Sequence, residues 1–336
     1  MINYDDYLEN MDKRHKAVYK ILIENIKKNS LSINYKPTPW KGDDSKNSLT
    51  FDFNGLSIVD GLKRTFKITN IDFDYLFDQA CSGSGKEENR ITVLRSSSLC
   101  ALLFFHNVSK NNPVKIDGCL FDKVFFEVQN TVISSRNPSN VDVVLVSSKS
   151  KKILYLESKF AEYYLNNGCV DISIEYLEKD TLGEQIYTKD NIEDTIGLIL
   201  NKNLNKEGLF RIDSDSKKTK SKCKSYCEGI KQMISHYIGL SNFVKETNLD
   251  RDSRNIELKK LFDSGYSIYL GEILFDFDND DIKPFREDYK QKYEKFAKLI
   301  NDKFKKIQIR CLEKTLNYSD LKEFVNPTIK KFYFGE

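Results

Sequence analysis

The stretch PSNVDVVLVSSKSKKILYLESKF, from Pro138 to Phe160, contains two apolar segments separated by a polar turn. Short runs of valine, isoleucine and leucine on either side of such a turn predict a β-hairpin. Three charged residues nevertheless interrupt the apolar segments: Asp142, Glu157 and Lys159. Solvent-facing charge is least expected inside such strands, so these positions indicate a role beyond folding.

The turn determines which of these charges face each other. A turn centred on Lys149 and Ser150 pairs residues whose numbers add to 299, and Asp142 then lies opposite Glu157. Like charges directly opposite on one face of a sheet are destabilising, because their Cβ atoms are only about 4.5–5.5 Å apart. A bound cation would reverse this penalty, so the pairing predicts a cation site.

The preceding segment extends this acidic rung to a third strand. Residues 123–129 predict a strand, and a turn centred on Ser134 and Ser135 pairs residues whose numbers add to 269. Glu127 then faces Asp142, although a slip of one residue would turn Glu127 to the other face of the sheet. The adjacent rung on the same face would hold Gln129, Asn140 and Lys159.

Carboxylates on adjacent strands beside an amine suit the hydrolysis of a phosphodiester. Their hard oxygen atoms favour Mg²⁺ or Mn²⁺, and the candidate ligands are Asp142, Glu157 and Glu127. Lys159 lies two residues from Glu157 on the same strand face, where it can orient or help to deprotonate an attacking water. The alternative interpretation is a solvent-facing sheet with incidental charges.

The composition limits the class of protein. The chain of 336 residues is 40% hydrophobic, which fits a folded protein with one large domain or two smaller ones. Its 53 Lys and Arg residues nearly balance 50 Asp and Glu residues, so any basic surface for nucleic acid must be local. One lysine-rich segment is either a solvated loop or a set of contacts to backbone phosphates. Its members are Lys217, Lys218, Lys220, Lys222 and Lys224.

The sequence also indicates a cellular compartment. Seven cysteines without a repeating framework suit a reducing environment. The first residues, MINYDDYLENMDKRHK, lack the basic region and apolar core of a signal peptide, and runs such as LCALLFF are too short to span a bilayer. We therefore expect a cytoplasmic protein that does not contact a membrane.

Periodicity along the chain predicts the elements around the hairpin. Apolar residues recur at helical spacing over residues 4–29, and the segments 95–109, 226–244 and 284–305 also predict helices. Residues 266–277 predict a further strand. The order helix, three strands, helix, strand, helix implies a mixed sheet flanked by helices.

These residues resemble the motif of the PD-(D/E)xK nuclease superfamily. In this resemblance Asp142 is the acidic residue of the first half-motif, and Glu157 and Lys159 are the E and the K. Three residues separate Pro138 from Asp142, so only the carboxylate of the half-motif carries over. The order of elements over about residues 96–160 and 224–277 is similar to the core of that superfamily.

The resemblance implies a fold class and a division of the chain. The fold is expected to be α/β (α+β), with a restriction-endonuclease-like mixed central sheet, helices on its faces, an N-terminal extension and an insertion. An N-terminal helical extension would cover residues 1–95. The nuclease core would cover 96–277, with the insertion at about 161–222, and a C-terminal helical segment, 278–336, would pack on the core.

The resemblance also implies a function. It predicts a Mg²⁺- or Mn²⁺-dependent endodeoxyribonuclease, of the restriction or host-defence type, that acts on DNA; the choice between DNA and RNA stays open. In that superfamily a further acidic residue often precedes the motif, which points to Glu127. Some members carry a glutamine on the following helix in a QxxxY-type arrangement, which resembles Gln232 and His236. With Gln129, these are candidates for positioning the substrate.

Two alternatives accompany this hypothesis. The chain could be a non-catalytic nucleic-acid-binding or interaction module on a nuclease-like fold, and Gln232 and His236 could form only the polar edge of a core helix. A double-strand break needs two hydrolytic events on strands of opposite polarity, so a nuclease with one site per chain is expected to act as a homodimer.

Overall fold

The computed structural model describes residues 4–38, 48–82, 90–132, 138–165, 170–173, 210–212, 222–225, 228–245, 252–304 and 307–336. The N-terminal elements are α1 (Tyr4–Glu9), α2 (Lys13–Lys28), β1 (Tyr35–Pro37), β2 (Leu49–Phe51), α3 (Ile58–Phe66) and α4 (Phe73–Ala80). One helix was expected over residues 4–29, but Asp12 caps the start of α2 by accepting from the backbone N of Arg14 at 2.9 Å. A capping carboxylate begins a helix, so the segment forms two helices.

The central elements contain the predicted hairpin. They are α5 (Ser97–Phe105), β3 (Val114–Ile116), β4 (Cys119–Phe121), β5 (Lys123–Asn130), β6 (Ser139–Ser147), β7 (Lys152–Lys159) and α6 (Glu162–Leu165). After them come β8 (Val170–Ser173), β9 (Phe210–Ile212) and β10 (Lys222–Ser225), which form a separate three-stranded sheet in the order β8-β10-β9. This small sheet lies within and just after the predicted insertion.

The C-terminal elements complete the central sheet. They are α7 (Glu228–Val244), α8 (Ser253–Asp263), β11 (Ser267–Leu274), α9 (Lys283–Lys303), β12 (Ile309–Cys311), β13 (Leu316–Asn317), a 3₁₀ helix (Tyr318–Leu321) and α10 (Pro327–Phe334). The strand order is β12-β11-β7-β6-β5, and β13 also pairs with β11. The neighbours of β6 are antiparallel, whereas β7, β11 and β12 are parallel, so the sheet is mixed as predicted.

Helices cover both faces of this sheet. Ser158 on β7 donates from Oγ to the carbonyl of Ser97 at the start of α5, while its neighbour Lys159 contacts Gln232 on α7. Successive side chains of a strand point to opposite faces, so α5 and α7 lie on opposite sides of the sheet. Burial on both faces explains why β6 reads as an almost continuous run of valine and leucine.

The predicted registers of the three antiparallel strands are confirmed. Partners in β6 and β7 have numbers that add to 299, as in the pair Val143 and Leu156. Partners in β5 and β6 add to 269 on both sides of Glu127. Both registers are therefore those that the sequence indicated.

The two terminal segments contain more than helices. The N-terminal segment includes the antiparallel pair β1 and β2, and the C-terminal segment supplies β12 and β13 to the central sheet. These strands have only two or three residues, which is too short for a period-two pattern to appear. The central sheet thus extends across the predicted boundary at 277/278, and buried residues of α2, β7 and α10 belong to one hydrophobic cluster. The division into domains stays a prediction.

Across the described ranges, every helix is either too short or too polar to cross a lipid bilayer.

Candidate active site

Four acidic residues occupy one rung of the central sheet. Glu157 on β7 pairs in register with Glu272 on β11. Val143 on β6 pairs with Leu156 on β7. Asp142 comes directly before Val143, and Glu157 comes directly after Leu156, so the antiparallel register sets Asp142 opposite Glu157. Glu127 lies between two residues of β5 whose partners flank Asp142. The predicted rung of three carboxylates therefore continues onto a fourth strand.

A cavity of about 380 Å³ opens beside this rung. The predicted residues that line it are Glu127, Asp142, Glu157, Lys159, Gln232 and His236. Arg90, Ser139 and Glu162 also contribute to its wall. The structure thus brings the three carboxylates, the lysine and the two helix residues to one place.

Glu157 is the centre of the hydrogen bonds in this cavity. Its Oε1 accepts from Lys159 Nζ at 2.6 Å and from Gln232 Nε2 at 2.9 Å. Its Oε2 accepts from His236 Nε2 at 2.8 Å, and Lys159 Nζ also donates to Gln232 Oε1 at 2.6 Å. Gln232 and His236 are one turn apart on α7, which explains how a single helix supplies both donors.

His236 is in turn held by strand β6. Its Nδ1 lies 2.6 Å from Ser139 Oγ. Nε2 of the ring contacts the carboxylate of Glu157, so His236 links Ser139 to Glu157. Ser139 was not singled out from the sequence, since one serine at the start of a strand carries no distinguishing signal.

The carboxylates of the rung differ in their electrostatics. Burial alone would raise the pKa of Glu157, but the charges and hydrogen bonds of Lys159 and His236 outweigh burial and lower it to about 2. Burial raises the pKa of Asp142 well above its usual range, and repulsion from Glu157 and Glu127 adds to the effect. The site therefore combines a firmly ionised carboxylate with one that favours its protonated form.

Glu272 is the acidic residue that sequence reasoning missed. It is fully buried, and burial raises its pKa to about 8 despite attraction to Lys159 and a 2.8 Å hydrogen bond from Tyr289 Oη to its Oε1. Among the described residues its Oε2 has no hydrogen-bond partner. The available signal was the glutamate that interrupts the apolar run YLGEILF, as Glu157 interrupts ILYLESKF.

The donor set fits a hard divalent cation in chemistry, although the carboxylates do not converge. Within the described ranges, no three His, Cys, Asp or Glu side chains are arranged to hold a metal ion. Both oxygens of Glu157 accept from nitrogen donors, and Asp142 Oδ2 accepts from the backbone N of Ser158 at 2.7 Å. Carboxylate oxygens and a repelling acidic pair are nevertheless what Mg²⁺ or Mn²⁺ prefers. Binding would require Glu157 to exchange a nitrogen donor for the ion.

The remaining predicted residues lie elsewhere. Gln129 pairs with Asn140 in the predicted register, but its Nε2 donates to the carbonyl of Ser82 at 3.3 Å, and it does not line the cavity. Gln129 is instead held at the outer edge of β5, where its backbone N donates to Asp252 and its carbonyl accepts from Asn255. Lys222 begins β10. Lys217, Lys218 and Lys220 lie outside the described residues.

The comparisons with known proteins return nothing: no family model, no curated protein and no solved structure matches the chain. Any functional assignment therefore depends on the chemistry of the cavity itself.

Proposed function

We propose that the chain is a metal-dependent phosphodiesterase that cleaves DNA, with a restriction-endonuclease-like fold of the PD-(D/E)xK type. One observation carries the proposal. Asp142, Glu157 and Lys159, on neighbouring strands, line one cavity together with Gln232 and His236 from the next long helix. A carboxylate pair and an amine on neighbouring strands of a mixed sheet are the elements that phosphodiester hydrolysis by a hard metal ion requires.

Asp142, Glu157 and Glu127 would hold Mg²⁺ or Mn²⁺. Such an ion supplies polarisation of a phosphoryl oxygen and neutralisation of the charge that develops on it. The raised pKa of Asp142, which arises from burial and from Glu157 and Glu127, supports this role, because a cation would replace the proton that the acidic pair otherwise attracts.

Lys159 would act as a cation and not as a base. Burial alone would lower its pKa, but Glu157 and the other nearby carboxylates raise it above the ordinary value for lysine. Its ammonium therefore stays charged at neutral pH, where it can donate to a phosphate oxygen or orient the attacking water. Gln232 holds Lys159 and Glu157 at fixed positions through two hydrogen bonds.

Other groups of the cavity suit an anionic substrate. Arg90 and the first residues of α5, Ser97 and Ser98, contribute to its wall. The N-terminus of a helix carries partial positive charge and free N–H groups, which favour a phosphate. These groups would hold the sugar-phosphate backbone beside the carboxylates.

A specific observation favours the second candidate, a non-catalytic nucleic-acid-binding module. Both oxygens of Glu157 already accept hydrogen bonds from Lys159, Gln232 and His236. In that case Lys159 would only neutralise a buried carboxylate, and the cavity would bind no metal. Measurement of Mn²⁺ binding by calorimetry separates the two candidates, since only the nuclease is expected to bind the ion.

The deciding experiment is a cleavage assay with supercoiled plasmid, linear duplex, single-stranded DNA and RNA, in Mg²⁺, Mn²⁺ or EDTA. We expect metal-dependent cleavage of DNA that is lost in Asp142→Asn. This variant, purified in parallel, controls for contaminating nucleases, and asparagine keeps the size of the aspartate side chain. Equal cleavage by both proteins would contradict the proposal.

The predicted homodimer is tested in the same preparation. Light scattering with and without DNA measures the mass of the particle that cleaves. A monomer in both conditions that still makes double-strand breaks would exclude the dimer, whereas a monomer that only nicks would indicate a strand-specific nuclease.

A further inference from the structure

Glu127 has a backbone conformation that glutamate rarely adopts. Its φ is +50°, in the left-handed region, although it lies in the middle of strand β5. Pairing continues in the same register on both sides, so no extra residue is inserted as in a β-bulge. The left-handed conformation is unfavourable for any residue that has a Cβ atom, so the surrounding structure must hold Glu127 in place.

Arg254 on α8 supplies this restraint. Its Nη2 donates to the carbonyl of Glu127 at 2.9 Å, and its Nη1 donates to the carbonyl of Phe126. Successive carbonyls of a regular strand point in opposite directions, so one side chain cannot normally reach both. The turned peptide at Glu127 brings both carbonyls to the outer edge of β5, which is the end of the described sheet.

Neighbouring groups fix the same segment. Asp252 Oδ1 accepts from Arg254 Nε at 2.7 Å, and its Oδ2 accepts from the backbone N of Gln129 at 3.0 Å. On the other side, the backbone N of Phe126 donates to Gln79 Oε1 at 3.1 Å. Arg254 and Asp252 are largely buried, with side chains 14% and 5% exposed. The guanidinium is therefore held in a fixed position against the two carbonyls.

We infer that Arg254 is a positioning residue, which holds Glu127 in its left-handed conformation and thereby directs the Glu127 carboxylate into the acidic cavity. The direction of a Cα–Cβ bond follows from the backbone angles, so relaxation of Glu127 to an extended conformation would move its carboxylate. The inference rests on the proposed function only where cleavage is the readout.

The first experiment needs no activity. Glycine tolerates positive φ, whereas alanine is favoured over glycine in an extended strand. We expect Glu127→Gly to unfold at a higher urea concentration than Glu127→Ala in the otherwise unchanged chain. In the Arg254→Ala background, the order should reverse, because the segment relaxes. The same order in both backgrounds would overturn the inference.

The second experiment measures cleavage. Arg254→Ala should lower kcat about 10- to 100-fold with little change in KM, as is usual when a residue that orients a metal ligand is lost. Arg254→Lys should restore little, because an ammonium lacks the fork that reaches two carbonyls. In the Glu127→Gln background, Arg254→Ala should cause no further loss, and losses that multiply would contradict action through Glu127.

Glu257→Ala is the matched control. Glu257 lies on the same helix as Arg254 and also contacts β5, through a 2.5 Å ion pair with Lys123 that is about half exposed. It touches neither Glu127 nor the cavity, so its removal should leave kcat unchanged. If the unaltered chain cleaves nothing, the proposed function fails, and the glycine and alanine variants alone decide the inference.

Discussion

Glu157 and Glu272 are partners in the register of β7 and β11, yet their carboxylates have opposite properties. Glu157 is 3% exposed and Glu272 is 0% exposed, so both have lost nearly all contact with water. The pKa of Glu157 nevertheless falls to about 2, while that of Glu272 rises to about 8. Since burial is nearly equal, the neighbours of each carboxylate determine its charge.

The neighbours differ because different helices cover the two strands. Helix α7 brings Gln232 and His236 to Glu157, where Lys159 joins them. Helix α9 brings to Glu272 the hydroxyl of Tyr289. One rung of a sheet can therefore hold an ionised carboxylate beside a protonated one, and this is how a site can keep acid and base forms at the same pH.

The largest expected effect is that of removing the cation beside Glu157. Lys159→Met leaves a buried carboxylate with two of its three nitrogen partners, and loss of one member of a buried ion pair typically costs about 3–5 kcal/mol. We expect a decrease of this size in the free energy of unfolding at pH 7, measured with urea. Loss of cleavage in this variant must therefore be corrected for the folded fraction.

Lys292→Met provides the surface control for this variant. Lys292 pairs with Asp288 on α9, where the two side chains are 31% and 63% exposed. Exposed pairs contribute at most about 1 kcal/mol, so this change should be nearly silent. Equal destabilisation by the two substitutions would show that the buried network does not hold Glu157.

The second effect separates the two glutamates by pH. The folded-state pKa of Glu272, raised by burial to about 8, exceeds its usual value of 4.5, so the folded chain binds a proton that the unfolded chain releases. Its contribution is fully present below about pH 4.5 and is lost as the pH rises to 8. Glu272→Gln should therefore gain stability relative to the unaltered chain over this range, by at most about 1.4 kcal/mol per pH unit.

Glu157→Gln should show the opposite dependence in a different window. Because Lys159 and His236 lower the pKa of Glu157 to about 2, its contribution is present above pH 4.5 and is lost as the pH falls towards 2. Unfolding free energies between pH 3 and 9 measure both slopes. Slopes of the same sign for the two variants would contradict the comparison.

The contrast also shows what the sequence could reveal. The hairpin turn is short and symmetric, so residue numbers alone placed Asp142 opposite Glu157, and helical spacing placed Gln232 and His236 on one face. Glu272 could not be placed in this way, because a parallel neighbour is joined through distant chain and its register does not follow from a turn. The left-handed conformation of Glu127 was likewise invisible, since it depends on Arg254, which is 127 residues away.

A smaller effect concerns the metal. Asp142 must release its proton before it can bind a cation, and burial with repulsion from Glu157 and Glu127 raises its pKa. The affinity for Mn²⁺, measured by calorimetry, should therefore increase with pH, by at most about tenfold per pH unit while Asp142 is protonated. Glu272→Gln should leave this dependence nearly unchanged, and a pH-independent affinity would exclude Asp142 as a ligand.

The smallest expected effect is that of Ser139, which is linked to Glu157 through His236. Ser139→Ala removes the hydroxyl that lies 2.6 Å from His236 Nδ1, but His236 keeps its bond to Glu157 through Nε2. Ser139 lines the cavity and is only half-buried, so water can replace the hydroxyl, and we expect a loss of about 0.5–1.5 kcal/mol in urea unfolding. Ser139→Thr, which keeps a hydroxyl, is the control.

The same variant also tests the charge of Glu157. If Ser139 supports that charge through His236, Ser139→Ala should raise the pKa of Glu157 slightly, and the loss of stability in acid should begin at a slightly higher pH. The window of Glu272 should stay where it is, because Tyr289, and not His236, donates to that carboxylate. A loss as large as that of Lys159→Met would contradict this order of partners.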